Sequence, residues 1–191
     1  MVEKTFEEHI ALMKDILENK TLIEKIKEII QIITTCYKNN NNVFIFGCGG
    51  SAADSQHLAA EFINKFNVNR KCLPAIALTT DTSVITAISN DSEFEYVFSR
   101  QVEGLVREHD VVIGISTSGR SRSVIRGLQA ARENKAVTIA LTGNYTHDVE
   151  HVANYIISIP STSTPRIQEA HIIVGHILCQ GVEQSFLTET E

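Results

Sequence analysis

The stretch VFIFGCGGSAADSQHLAAEF, residues 43–62, changes its period part-way along. Val43, Phe44, Ile45 and Phe46 form an unbroken apolar run, which suits a strand buried on both faces of a parallel sheet. Gly47, Gly49 and Gly50 follow at once. A helical pattern then starts near Ser51 and ends near Phe66. Strand, glycine turn and helix in that order are the opening of a crossover unit.

The same alternation continues outward. Towards the C-terminus, strands are predicted at 74–78, 111–115, 137–141 and 155–159. Helices are predicted before and between them: a short one after Asp81 and Ser83, then about 94–106, 121–133 and 166–186. Strands separated by helices of this length point to a mostly parallel sheet in an α/β sandwich. Binding is expected at the carboxyl ends of the strands. Towards the N-terminus, residues 5–18 and 21–37 read as two amphipathic helices. Phe6, Ile10, Met13 and Leu17 form the apolar face of the first, and Leu22, Ile26, Ile29 and Ile33 that of the second. This pair precedes every strand and carries no obvious chemistry, so it can cover the core or mediate self-association.

Composition narrows the function classes. The chain has 191 residues, 43% of them hydrophobic, which suits one domain with a substantial core. Seventeen basic and 23 acidic residues give a net charge of −6, a poor match to general nucleic-acid binding. A local anion site remains open, because backbone donors hold phosphate without net positive charge. Cys36, Cys48, Cys72 and Cys179 form no CxxC pair and read as free thiols. The opening MVEKTFEEHI lacks a signal-peptide apolar run, and no stretch approaches a membrane span. A cytoplasmic location without membrane contact is therefore expected.

Two loops carry anion-binding chemistry. GCGGS, Gly47 to Ser51, offers close backbone approach and a serine at the helix start. Its match to GxGxxG is incomplete, and it has no P-loop lysine, so a nucleotide is not favoured. Ser116-Thr117-Ser118-Gly119-Arg120-Ser121 sets four hydroxyls around one glycine after a buried strand. Hydroxyls and first-turn amides suit a phosphate dianion. Either loop alone can be a plain chain reversal; two of them make an anion pocket the better reading.

Proton-transfer candidates lie on two helices. His57 and Glu61 share one face at a spacing of four. They can share a metal, pair as acid and base, or form a surface salt bridge. The last helix carries Gln168, Glu169, His171 and His176. Gln168 and His176 project about 80° apart and lie roughly 12 Å apart along the axis. His171 points elsewhere and reads as a packing or surface residue. The metal signal from spacing alone is weak, with no HExxH and no CxxC.

The segments GCGGSAADSQHLAAEF, ALTTDTSVITAISND, FSRQVEGLVREHDVVIGISTSGRS and STSTPRIQEAHIIVGHILC resemble the phosphoheptose isomerase pattern in order and spacing. The likeness covers nearly the whole chain. It implies a three-layer α/β sandwich of the sugar-isomerase (SIS), flavodoxin-like type, with residues 1–191 as one SIS domain and 1–38 as a helical extension packed on it. It implies an aldose–ketose isomerase converting D-sedoheptulose 7-phosphate to D-glycero-D-manno-heptose 7-phosphate through an enediol, for lipopolysaccharide or capsule heptose. It also implies a homotetramer and one zinc ion per subunit. Carried over residue by residue, the zinc ligands are His57, Glu61, Gln168 and His176. The acid/base pair is Glu61 and His176. Substrate contacts are Ser51, Glu61, Asp91, Ser116, Thr117, Ser118, Ser121 and Gln168.

The chain departs from the family at Cys48 and Arg120, where relatives commonly have Asn. It also departs at Ser163, commonly Asp, and at Asn144-Tyr145-Thr146-His147. None of these removes a proposed ligand or catalytic residue. Three alternatives remain: a protein of the same fold that binds a replication initiator, an isomerase of another phosphosugar, and a sugar-phosphate-binding regulator without turnover.

Overall fold

A computed structural model describes residues 1–187. Five strands, β1 (Val43–Gly47), β2 (Ala75–Ala77), β3 (Val111–Ser116), β4 (Val137–Thr142) and β5 (Tyr155–Ser158), form one sheet in the order β2-β1-β3-β4-β5. All four pairings are parallel. The chain runs from β1 outward to β2 and returns past β1 to β3. The strand order therefore reverses between β1 and β3, the place where open α/β sheets bind ligands.

Alternate residues of each strand serve the two faces. Val43 and Ile45 join Val111, Ile113, Ile139 and Leu141 in one apolar cluster; Phe44 and Phe46 join Val112 and Ala140 in the other. The first cluster is closed by α2 (Lys20–Lys38), α3 (Gly50–Ile63) and α7 (Thr164–Leu187); the second by α5 (Ser99–Leu105) and α6 (Arg122–Glu133). This double burial is why the strands read as continuous apolar runs. The expected parallel α/β sandwich is the observed one.

Three segments differ from the sequence expectation for physical reasons. The helix expected over 94–106 is split into a 3-10 turn, Phe94–Tyr96, and α5. At the junction Phe98 stacks on Phe46, ring centroids 4.7 Å apart, and Val97 and Phe98 are both buried. Helix α3 ends at Ile63 instead of near Phe66. The N–H groups of Phe66, Asn67 and Val68 donate to the Glu183 carboxylate, so they take no part in a further helical turn. In α1 (Val2–Glu18) the stripe turned inward is Leu12 and Ile16, while Phe6, Ile10 and Leu17 stay exposed. The expected face of α2, by contrast, is buried throughout: Leu22, Ile26, Ile29 and Ile33. A last helix, α4 (Thr82–Asp91), is capped by the Asp81 carboxylate, which accepts from Val84 N–H at 3.0 Å, and buries no residue fully.

His171 is a packing residue, as its position on α7 suggested. It is 1% exposed, and its Nε2 lies 3.0 Å from the Thr142 carbonyl at the end of β4. Nδ1 is buried without a partner. Burial holds the imidazole neutral, with its pKa pushed down to about 4. The unfolded chain therefore binds the extra proton below about pH 6.5 while the folded chain does not, so stability falls with pH in that window. Between pH 6.5 and 5 this residue is expected to remove about 2 kcal/mol. Urea unfolding of the wild type should show that extra acid loss relative to His171→Gln; equal losses in both would contradict it.

Candidate active site

The two anion loops end up side by side because β1 and β3 are neighbours, with Gly47 opposite Ile115. The first loop turns through Gly49, whose φ of 61° favours glycine, and α3 starts at Gly50. The Gln168 side chain occupies the space where a Cβ on Gly50 would stand. Ser51 is buried in the first turn of α3. In the second loop, the Ser116 and Ser118 hydroxyls lie 3.4 Å apart, and Ser121 N–H points to Ser116 Oγ at 3.4 Å. Ser121 precedes α6 yet caps none of its amides; its hydroxyl lies 3.2 Å from Ser123 Oγ. Cys48 Sγ joins the loops, 3.3 Å from Ser123 Oγ and 3.8 Å from Ser121 Oγ. Thr117 anchors the turn by its carbonyl, which accepts from Gly143 N–H at 3.1 Å.

Helices α3 and α7 lie beside one another in the same direction. Gln168 meets Gly50, Gly175 meets Leu58, and Glu183 meets the residues just after α3. A Cβ on Gly175 would collide with the Leu58 side chain, so this glycine lets the two helices approach. The approach brings His176 Nε2 to 2.8 Å from His57 Nε2, with Glu61 Oε1 3.5 Å from the same His57 atom. Phe66 packs on the His176 ring, centroids 5.5 Å apart. The group is open to solvent: the His57 and Glu61 side chains are 46% and 23% exposed.

Asp54 was missed by the sequence reading. It lies one turn before His57 on α3 and pairs with the Gln168 side chain. Its Oδ2 is buried without a partner. Burial raises its pKa, opposed by the Gln168 hydrogen bond and by charge on His57 and His176. The spacing of three from Asp54 to His57 was the available signal. Buried Arg70 and Glu183 were missed as well. They pair at 3.1 Å, and Arg70 Nη2 donates to the Glu61 carbonyl at 2.9 Å, fixing the end of α3.

The structure thus brings His57, Glu61 and His176 together, while Gln168 stands beside Gly50 at the start of α3. Ser51, Ser116, Thr117, Ser118 and Ser121 lie in the adjoining loops. Asp91 closes α4, is exposed, and accepts from Asn90 Nδ2 at 2.8 Å. A cavity of about 520 Å³ bordered by Tyr37, Arg70, Lys71, Leu73 and Phe186 contains none of the candidate residues.

The donor set suits a divalent metal. Two imidazole nitrogens share a proton at 2.8 Å with a carboxylate beside them, and all three are ligand types that zinc takes. Among the described residues, no three His, Cys, Asp or Glu side chains are placed to hold a metal ion together.

Comparison with known proteins gives the family. The SIS domain family matches residues 6–143. A phosphoheptose isomerase of Aquifex aeolicus is 52% identical over 84% of this chain and 84% of its own. The chain belongs to the phosphoheptose isomerase family. Two solved members superpose closely. The Neisseria gonorrhoeae enzyme has 38% identity, a TM-score of 0.89, and 96% and 97% of the two chains covered. The Francisella tularensis enzyme has 31% identity, a TM-score of 0.91 and 96% of each covered. Membership of this isomerase family, expected from the sequence motifs, makes the chain an isomerase. Among the described residues, no helix is long and apolar enough to cross a membrane.

Proposed function

We propose that this isomerase interconverts D-sedoheptulose 7-phosphate and D-glycero-D-manno-heptose 7-phosphate, in the cytoplasm, for lipopolysaccharide or capsule heptose. The observation that carries this reading is the meeting of Glu61 and His176 around His57, beside two hydroxyl-rich loops. The loops are suited to hold the terminal phosphate, through the hydroxyls of Ser51, Ser116, Thr117, Ser118 and Ser121. The sugar's first two carbons then reach towards α3 and α7. One member of the Glu61/His176 pair takes the proton from C1 of the ketose while the other gives a proton to O2, forming the enediol. The pair then reverses roles: O1 loses its proton and C2 gains one, giving the aldose.

His57, Glu61, Gln168 and His176 are the proposed holders of one zinc ion per subunit. Held by these residues, such an ion would supply Lewis-acid polarisation of the substrate carbonyl. Asp54 fits as a positioning residue for the Gln168 side chain. The exposed Phe6, Ile10 and Leu17 of α1 suit burial between subunits of a homotetramer. Light scattering that reports a monomer at micromolar concentration would contradict that assembly.

Incubation of the purified protein with sedoheptulose 7-phosphate, followed by NMR, should show the aldose appearing. Shorter phosphoketoses run in parallel should turn over at least tenfold more slowly, on the order of one lost polar contact. Metal analysis of protein purified without chelator should find zinc, reduced in His57→Ala. Absence of any heptose turnover in zinc-loaded protein would remove the proposal, and full activity in metal-free protein would remove zinc from it.

A further inference from the structure

The cations around the second loop are unevenly committed. Arg122 and Arg126, early in α6, both reach Glu95, at 2.7 and 2.5 Å. Arg126 also lies over the Tyr96 ring. Arg120 differs, because among the described residues no carboxylate pairs with it. Its guanidinium carbon lies 3.9 Å from the centroid of the Tyr145 ring. Its main-chain N–H donates to Ser118 Oγ at 3.2 Å, so the residue is part of the loop itself.

The support beneath Arg120 is built into the neighbouring loop. Tyr145 O–H donates to Asp148 Oδ1 at 2.9 Å. The Tyr145 carbonyl fills the space beside Gly119, whose φ of 65° and lack of a Cβ permit the approach. Gly143 N–H, two residues earlier, donates to the Thr117 carbonyl. The loop after β4 is therefore fastened to the loop after β3 at two points, and it presents a ring on which a guanidinium rests. Hydroxyls and amides alone leave a dianion uncompensated in charge. Guanidinium is the cation that stacks on a ring and still offers a planar fork of N–H donors to phosphate oxygens.

We propose that Arg120, shelved on Tyr145, is a further phosphate-binding residue of this isomerase and supplies the positive charge of its phosphate site. The proposal rests on placing the substrate's phosphate at the Ser116–Ser121 loop. It gives the departures at Arg120 and Tyr145 one joint purpose: tighter hold on a dianion, with steeper dependence on salt.

Calorimetry with inorganic phosphate as the probe tests this without relying on turnover. Arg120→Ala should weaken phosphate binding about tenfold, as loss of one charge-assisted contact, and flatten its dependence on salt. Arg120→Lys, which keeps charge and loses the stacked fork, should fall between the two. Tyr145→Leu should weaken binding in the same direction by a smaller factor. Arg120 is exposed, so these loop variants are expected to fold. Ser118→Ala separates the proposal from the reading beneath it. If Ser118→Ala loses phosphate while Arg120→Ala binds it like the wild type, Arg120 is outside the site and the loop assignment stands. If both bind like the wild type, the loop assignment falls, and the role of Arg120 falls with it.

Discussion

Glu61→Gln is expected to lower turnover by roughly 10²- to 10⁴-fold, the usual contribution of a positioned general acid or base. The amide keeps the size and hydrogen-bonding outline of the carboxylate but cannot take up a proton. The fold should persist. Glu61 lies near the end of α3, its side chain is 23% exposed, and its carbonyl is held by Arg70 whatever the side chain does. The carboxylate has two proposed duties, binding zinc and moving a proton, and a tightly bound carboxylate is a poorer base. The variant separates them when zinc is measured in the same sample. A metal-loaded but inactive protein assigns the loss to proton transfer. A metal-depleted protein whose activity returns with added zinc assigns it to binding. Turnover like that of the wild type would take Glu61 out of the mechanism altogether.

Most of the fold was legible because both faces of the sheet are covered. Val43 to Phe46 and Val111 to Ile115 are apolar without interruption, and a run of that kind between helices has few other uses. The elements that were misplaced are those whose limits are set by distant residues. Nothing local to Phe66 announces that Glu183, more than a hundred positions away, will take its N–H. Nothing before Phe98 announces the ring of Phe46. Helix α1 has apolar residues on two sides: Leu12 and Ile16 turn inward, and Phe6, Ile10 and Leu17 stay exposed. Its apolar residues outnumber the positions that α2 and α7 can cover, so periodicity alone could not choose Leu12 and Ile16 over Phe6, Ile10 and Leu17.

The candidate site was legible in its parts but not in its assembly. His57 and Glu61 share a helix face by spacing, and the structure keeps them at 3.5 Å. Gln168 and His176 looked too far apart along one helix to serve one centre. The parallel course of α3 and α7 keeps them at separate levels, because each residue of α7 meets its own level of α3. Gln168 stands level with Gly50 and Asp54, His176 level with His57. Asp54 escaped notice because a lone aspartate on a helix is ordinary; its significance lies in the buried oxygen and the Gln168 partner, which only packing creates.

His176→Asn is expected to cost turnover on the same scale, about 10²- to 10⁴-fold, with a smaller change in KM. From sequence, a histidine among Ile172, Ile173, Val174, Ile177 and Leu178 is most simply a packing residue satisfied by a carbonyl. The structure gives that duty to His171, whose Nε2 faces the Thr142 carbonyl, and leaves His176 facing another imidazole. Contact between two Nε2 atoms at 2.8 Å holds only if one gives a proton that the other accepts. That arrangement keeps a proton where the enediol oxygens would develop. Asparagine fits the space and can still donate to His57, but it cannot cycle a proton near neutral pH as an imidazole can. The pH dependence of kcat should therefore lose one limb in the variant, a change that mere loosening of α7 against α3 would not produce. Zinc must be measured alongside, because loss of the metal would mimic loss of the proton carrier. A folded, zinc-loaded His176→Asn protein with undiminished turnover and an unaltered pH profile would remove this residue from the chemistry.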